Sequence, residues 1–180
     1  MELELRAKIT SLEEITKKLE ELGAKKLGET ELTDYYFGEL ALYQKLGYSF
    51  WIRIRVEGDK IGLAYKGSTG RDGVYDELEQ ELQDLDTSIA ILTKMGLENE
   101  ITVHKKRTSY KIGDISIEID DLGEKGKFIE AERVSEDGDK SRLFELFKSV
   151  GIPESDTFER GLITLLLEEK GSPFADWIKN

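Results

Sequence analysis

Charged residues recur at every second position along most extended segments of this sequence, acids on some and bases on others. No other feature constrains the fold as much. Side chains alternate across a strand, so parity assigns each residue to a face. In residues 2–9, Glu2, Glu4, Arg6 and Lys8 share one face, while Leu3, Leu5, Ala7 and Ile9 take the other. Residues 49–57 set Arg53 and Arg55 opposite Ile52, Ile54 and Val56. Segment 60–66 puts Lys66 with Gly62 and Ala64, and segment 74–83 aligns Glu77, Glu79 and Glu81. Residues 101–111 pair Lys105 with Arg107, 114–120 pair Glu118 with Asp120, and 127–134 pair Glu130 with Glu132. With a further strand over 25–37, eight strands are expected. Glu57-Gly58-Asp59 and Ile112-Gly113-Asp114 supply hairpin turns. Prolines fall only at 153 and 173, so none interrupts a strand.

Helices fill the gaps. Ser11-Leu12-Glu13-Glu14 is a capping box, followed by Leu12, Ile15, Leu19 and Leu22 at helical spacing and Gly23 as a stop. A second helix is expected from Asp86-Thr87, burying Ile89, Leu92 and Met95 and ending at Gly96. A third runs from Asp139 through Leu143, Phe144, Phe147 and Val150 to Gly151, and a fourth from Ser155 to Lys170. Ser172-Pro173 has the chemistry to open a last short helix.

These amphipathic helices need an apolar partner, and the apolar strand faces are the candidates. Helices on those faces turn the charged faces toward one another. The expected fold is therefore α+β: an eight-stranded antiparallel closed barrel lined by acids and bases, with helices packed outside. No linker divides the chain, so residues 1–180 read as one domain.

Composition removes other options. The sequence has no cysteine and one histidine, His104, which excludes disulfides, thiolate chemistry and multi-histidine zinc sites. A net charge of −12 argues against nucleic acid or an anionic membrane surface as partner. No apolar run has transmembrane length, and Met1-Glu2-Leu3-Glu4 does not read as a secretory signal, so a cytoplasmic location is expected.

A lining of this kind needs counterions. Two carboxylates about 4 Å apart repel by about 4 kcal/mol at an effective dielectric near 20. Oxygen-only clusters such as Glu2/Glu4 and Glu130/Glu132 call for Mg²⁺ or Mn²⁺. The arginines and lysines call for a polyanion. Metal and basic side chains around one cavity suit a polyphosphate.

The motifs resemble those of the CYTH superfamily, the triphosphate tunnel enzymes, which include class IV adenylate cyclases, thiamine triphosphatases and tripolyphosphatases. Glu2-x-Glu4-x-Arg6 resembles its ExExK signature, Asp34-Tyr35-Tyr36-Phe37 its D-x-Y-[FY] strand, and Ile52-Arg53-Ile54-Arg55 its paired-arginine strand. Ala64-Tyr65-Lys66-Gly67, Glu77-Leu78-Glu79 and Lys105-x-Arg107-x-x-Tyr110 follow in the family's order. Ile119-Asp120 and Phe128-Ile129-Glu130-Ala131-Glu132 complete the set, which covers residues 2–132. The resemblance implies a triphosphate tunnel whose metal ligands are Glu2, Glu4, Glu79, Asp120, Glu130 and Glu132, with Glu77 the rival of Glu79. Glu2, Glu4, Glu130 and Glu132 would carry catalysis. The implied phosphate contacts are Arg6, Arg53, Arg55, Lys66, Lys105 and Arg107, with Lys8 at the mouth. Arg6 stands where the family has lysine, and Gly161-Leu162 replaces its C-terminal Ser-Tyr.

The expected activity is divalent-metal-dependent hydrolysis of a small triphosphate compound, inorganic tripolyphosphate or an organic triphosphate. The alternatives are a class IV-like adenylate cyclase and a non-catalytic polyphosphate- or nucleotide-binding barrel. His104, Glu81 and Glu118 are expected to be surface or rim structure, and Tyr35, Phe37, Trp51 and Tyr75 to be packing residues before nucleobase platforms. Oligomeric state is open, a homodimer included.

Overall fold

The computed structural model describes residues 2–71, 74–134 and 138–178, with side chains described over 3–67, 76–134 and 138–177. The side chains of Glu2 and Tyr75 lie outside the described residues. The elements in chain order are β1 (Glu2–Ile9), α1 (Leu12–Glu21), β2 (Lys25–Gly38), α2 (Leu40–Leu46), β3 (Phe50–Glu57), β4 (Lys60–Arg71) and β5 (Val74–Leu82). They continue with α3 (Leu85–Lys94), β6 (Glu98–Ile112), β7 (Ile115–Asp121), β8 (Lys127–Val134), α4 (Ser141–Ser149), β9 (Thr157–Phe158), α5 (Leu162–Lys170) and α6 (Ala175–Ile178). The fold is α+β, built on antiparallel strand pairs.

The chain divides into two compact units, one of residues 1–30 and 105–160, the other of 31–104 and 161–180. Both β2 and β6 run through the two. In the first unit the strand order is β2-β6-β7-β8-β1-β9; in the second it is β5-β4-β3-β2-β6.

The first unit buries the apolar parity of β1 (Leu3, Leu5, Ala7 and Ile9) together with Ile117, Ile119, Ile129 and Ala131. Against these lie Ile15 and Leu19 of α1 and Leu143, Leu146 and Phe147 of α4. Each fully buried Leu or Phe adds about 1.5–3 kcal/mol, so this face fixes the sheet's orientation. Ser11 caps α1 by accepting from the Glu14 N–H at 3.2 Å. Gly23 and Gly151 follow α1 and α4 at φ 84° and 88°, and there Ala24 N–H donates to Leu19 O and Ile152 N–H to Phe147 O. The second unit packs Phe37, Tyr43, Phe50, Trp51, Ile54, Leu92, Leu167 and Phe174 into its own core.

Several expectations change. The helix expected from Ser155 to Lys170 is interrupted: Thr157–Phe158 pairs with β1, and α5 begins only at Leu162. Arg6 takes the carbonyls of Glu159 and Arg160 at 3.1 and 3.5 Å, holding that backbone out of a helix. The resulting β9 is one strand beyond the eight expected. Helix α3 is capped by Asp84, whose Oδ1 accepts from the Thr87 N–H at 2.7 Å, so it starts before Asp86. Met95 is the C-cap residue and is 72% exposed, not buried. Helix α2 was not expected; Glu39 caps its start and Gly47 ends it at φ 78°. Among the described residues, no helix is long and apolar enough to cross a membrane.

Candidate functional site

Register sets the charged residues of the first unit in rows across four strands. One row joins Lys111, Ser116, Glu132 and Glu4; the next joins Ser109, Glu118, Glu130 and Arg6; a third joins Arg107, Asp120, Phe128 and Lys8. Directly opposed residues of an antiparallel pair project to the same face. These rows therefore convert the parity of single strands into a two-dimensional lattice of charge.

Glu4, Glu130 and Glu132 converge at its centre, each offering a carboxylate oxygen within 4.8 Å of the other two. These three carboxylates would be the ones to hold a divalent cation such as Mg²⁺ or Mn²⁺. The donors are all hard oxygens, which fits such a cation. Arg6 braces the cluster. Its Nε donates to Glu130 Oε2 at 2.7 Å and its Nη2 pairs with Glu4, while Nη1 reaches the Glu159 carbonyl. The side chain is correspondingly buried, at 8% residue exposure. Three separate nitrogens of the guanidinium serve the two carboxylates and the carbonyl, whereas a lysine would have to serve all three from one point. Burial pushes the Glu130 carboxyl up, but Arg6, Arg107 and Lys105 outweigh it and leave Glu130 below the ordinary carboxylate range.

Beside the cluster, Arg107 grips Asp120 with two bonds of 2.7 Å, and Lys105 Nζ lies 2.9 Å from Asp120 Oδ2. Burial raises the Asp120 carboxyl, and the two cations more than reverse this. Ser109 donates to Glu118 at 2.7 Å, and Arg107 Nε lies 3.4 Å from the same carboxylate. Burial raises Glu118 above the ordinary range, ahead of the opposing pull of Arg107. Ser109 and Lys111 were not singled out from sequence; their shared parity with Arg107 was the available signal.

In the second unit, Asp34 accepts two bonds from Arg55, at 2.7 and 2.8 Å. Arg53 Nη2 reaches Glu79 at 3.4 Å, and Lys66 Nζ lies 2.9 Å from Glu77. Each of the two rival glutamates thus faces a basic residue. The Nε of Arg53 has no hydrogen-bond partner among the described residues. Trp51 is buried edge-on to Tyr36 and Tyr43 and beside Phe174, so its ring is a packing element, as is the fully buried Phe37. His104 is exposed, with Nδ1 3.0 Å from the Thr33 hydroxyl and the opposite parity to Lys105 and Arg107.

Lys8 leaves the lattice at its edge, where its Nζ sits 5.7 Å from the Phe128 ring centroid. Its Cε would lie 2.9 Å from a Cβ at Gly126, so a side chain at 126 would displace it.

A family model described as the CYTH domain matches residues 1–162. A protein of Methanocaldococcus jannaschii named "Putative adenylate cyclase MJ0240" is 25% identical over 173 residues, covering 92% of this chain and 98% of that one. Among solved structures, the PH1012 protein of Pyrococcus horikoshii superposes with TM-score 0.78 at 25% identity, covering 92% of this chain and 99% of that one. The PH1819 protein of the same organism gives TM-score 0.76 at 25% identity, with coverages of 94% and 99%.

Proposed function

Because the chain belongs to the CYTH domain family, we propose that it hydrolyses a phosphoanhydride bond of a small triphosphate compound, using Mg²⁺ or Mn²⁺. The observation that carries this reading is the convergence of Glu4, Glu130 and Glu132 within one unit that also presents Lys105 and Arg107. Binding a polyanion alone calls only for the basic residues. A three-carboxylate cluster beside them adds a cation site with no use in a purely anion-binding barrel.

When bound, the divalent ion supplies charge neutralisation for phosphate oxygens and acidifies a water for attack. Glu4, Glu130 and Glu132 would hold it, with Glu2 added by the family motif. Lys105 and Arg107 receive phosphate oxygens that gain charge as the bond breaks. Arg53, Arg55 and Lys66 take the same role on the family pattern. Arg6 keeps Glu4 and Glu130 in position.

The competing reading is an adenylate cyclase, favoured by the name of the Methanocaldococcus relative. A cyclase must seat adenine and aim the ribose 3′-hydroxyl within about 3–3.5 Å of the α-phosphate. Trp51 and Phe37, two of the aromatics weighed as nucleobase platforms, are buried and offer no open face for a base. Hydrolysis needs only the phosphate chain and a water. The test is product analysis with tripolyphosphate, thiamine triphosphate and ATP, each with Mg²⁺ or Mn²⁺. Phosphate release from tripolyphosphate or thiamine triphosphate faster than from ATP supports hydrolysis; cyclic AMP with stoichiometric pyrophosphate and inert tripolyphosphate would establish the cyclase.

A further inference from the structure

We infer that Asp34 and Asp120 are positioning residues that hold Arg55 and Arg107 in fixed orientations for phosphate, and that Asp120 is therefore not a metal ligand. The inference rests on the triphosphate reading above. In the second unit Asp34 is 0% exposed and lies directly across the β2–β3 register from Arg55. Its Oδ1 accepts from Arg55 Nε at 2.7 Å and its Oδ2 from Nη2 at 2.8 Å. In the first unit Asp120 is 4% exposed and lies directly across the β6–β7 register from Arg107. There Oδ1 accepts from Nε and Oδ2 from Nη2, both at 2.7 Å. The same two-bonded fork is thus built twice, atom for atom, on different strand pairs.

A fork of this kind uses one edge of the guanidinium and fixes its plane. An arginine already held loses little side-chain freedom when it takes a phosphate oxygen, whereas an unheld one must be ordered first. The aspartates are the buried members, and the side chains of Arg55 and Arg107 keep 22% and 16% exposure, so each pair meets a ligand through its arginine. Asp120 carries a second cation, Lys105, on Oδ2. A metal ion on Asp120 would have to displace two basic side chains from a buried carboxylate. Glu4, Glu130 and Glu132, in contrast, already cluster without it. The acids divide into three that gather for a cation and two that orient arginines.

The experiment uses the full chain and calorimetry at a temperature well below melting, which is followed in parallel by circular dichroism. Mn²⁺ alone is titrated into the protein, and inorganic tripolyphosphate is titrated separately into metal-free protein, where it is bound but not cleaved. Asp120→Asn should leave Mn²⁺ affinity within about threefold, while Glu130→Gln weakens it by about tenfold or more. Asp34→Asn and Asp120→Asn should each weaken tripolyphosphate by about tenfold, the loss of one well-oriented charge-assisted contact. In an Arg55→Ala background, Asp34→Asn should change tripolyphosphate affinity by less than about twofold, because Asp34 acts through Arg55. A purely structural role would lower the melting temperature without this dependence on Arg55. Asp120→Asn weakening Mn²⁺ as much as Glu130→Gln would overturn the inference, as would equal Asp34→Asn effects in both backgrounds. Should Asp120→Asn not fold, the Asp34/Arg55 cycle decides the holder role in the other unit. Wild-type protein that binds Mn²⁺ but not tripolyphosphate would instead overturn the triphosphate reading itself.

Discussion

Replacing Glu130 by Gln separates the electrostatics of the cluster from its purpose. Glu130 lies within 4.8 Å of both Glu4 and Glu132. At an effective dielectric of about 20, each of those repulsions is worth about 3.5 kcal/mol, or about 7 kcal/mol for the two. The attraction to Arg6 at 2.7 Å is worth about 6 kcal/mol on the same scale. The glutamine oxygen still accepts from Arg6, which also keeps Glu4 and the Glu159 carbonyl. Arg107 and Lys105 add attraction while burial opposes the charge, so the contributions largely offset and metal-free stability should change by no more than about 1–2 kcal/mol, or a few degrees in Tm. Metal reverses this balance. At a concentration about 100 times its dissociation constant, one bound ion stabilises the wild-type fold by about 2.7 kcal/mol. Scanning calorimetry with and without Mg²⁺ should therefore show a rise of about 5–10 °C for wild type and little for Glu130→Gln. Hydrolysis by the variant should fall by at least about 100-fold. A metal-free Tm depressed by more than about 10 °C would contradict the charge balance at Glu130, and a metal-induced rise equal to that of wild type would contradict its place in a metal site.

The basic residues and the acid response give further tests. Arg53→Ala, Arg55→Ala and Arg107→Ala should each weaken tripolyphosphate binding by about ten- to a hundredfold, whereas exposed His104→Ala should leave it unchanged; calorimetric affinities check this, and equal losses at His104 and Arg53 would mean that the faces are misassigned. Asp120 titrates below its ordinary value of 3.8 in the folded protein, so its pairs contribute full stability above that value and lose it as pH falls through the lower native one. Metal-free Tm should thus fall more steeply below about pH 4 for wild type than for Asp120→Asn, and parallel profiles would contradict the pairing.

Parity made much of this site legible. Leu3, Leu5, Ala7 and Ile9 are all buried, so the opposite face of β1 had to carry Glu4 and Arg6, and the same logic held for β8. Parity assigns a face but not a partner, however. It could not tell that Asp120 lies under Arg107 and Lys105 while Glu130 gathers with Glu4 and Glu132, because that depends on register across four strands. Helix α2 was hidden because its cap is Glu39, a residue type that seldom signals a helix start. The segment after Ser155 has the composition of a helix, yet Arg6, about 150 residues away in sequence, claims its carbonyls. Local propensity carries no information about such a partner. Nor did the sequence mark two units, because two of the three passages between them lie inside β2 and β6 and the third, between Arg160 and Gly161, has no linker composition.

The proposed function gives this acid cluster the role of metal-dependent cleavage of a phosphoanhydride bond. Phosphorus NMR of inorganic tripolyphosphate incubated with the protein and Mg²⁺ or Mn²⁺, the metal removed before acquisition, tests it most directly, with matched samples in excess chelator and with Glu132→Gln. The pyrophosphate signal, with two equivalent phosphorus atoms, should grow at twice the rate of the phosphate signal with metal, and neither should appear with chelator or in the variant. Tripolyphosphate left intact with either metal, or cleaved equally fast in chelator, would contradict this role.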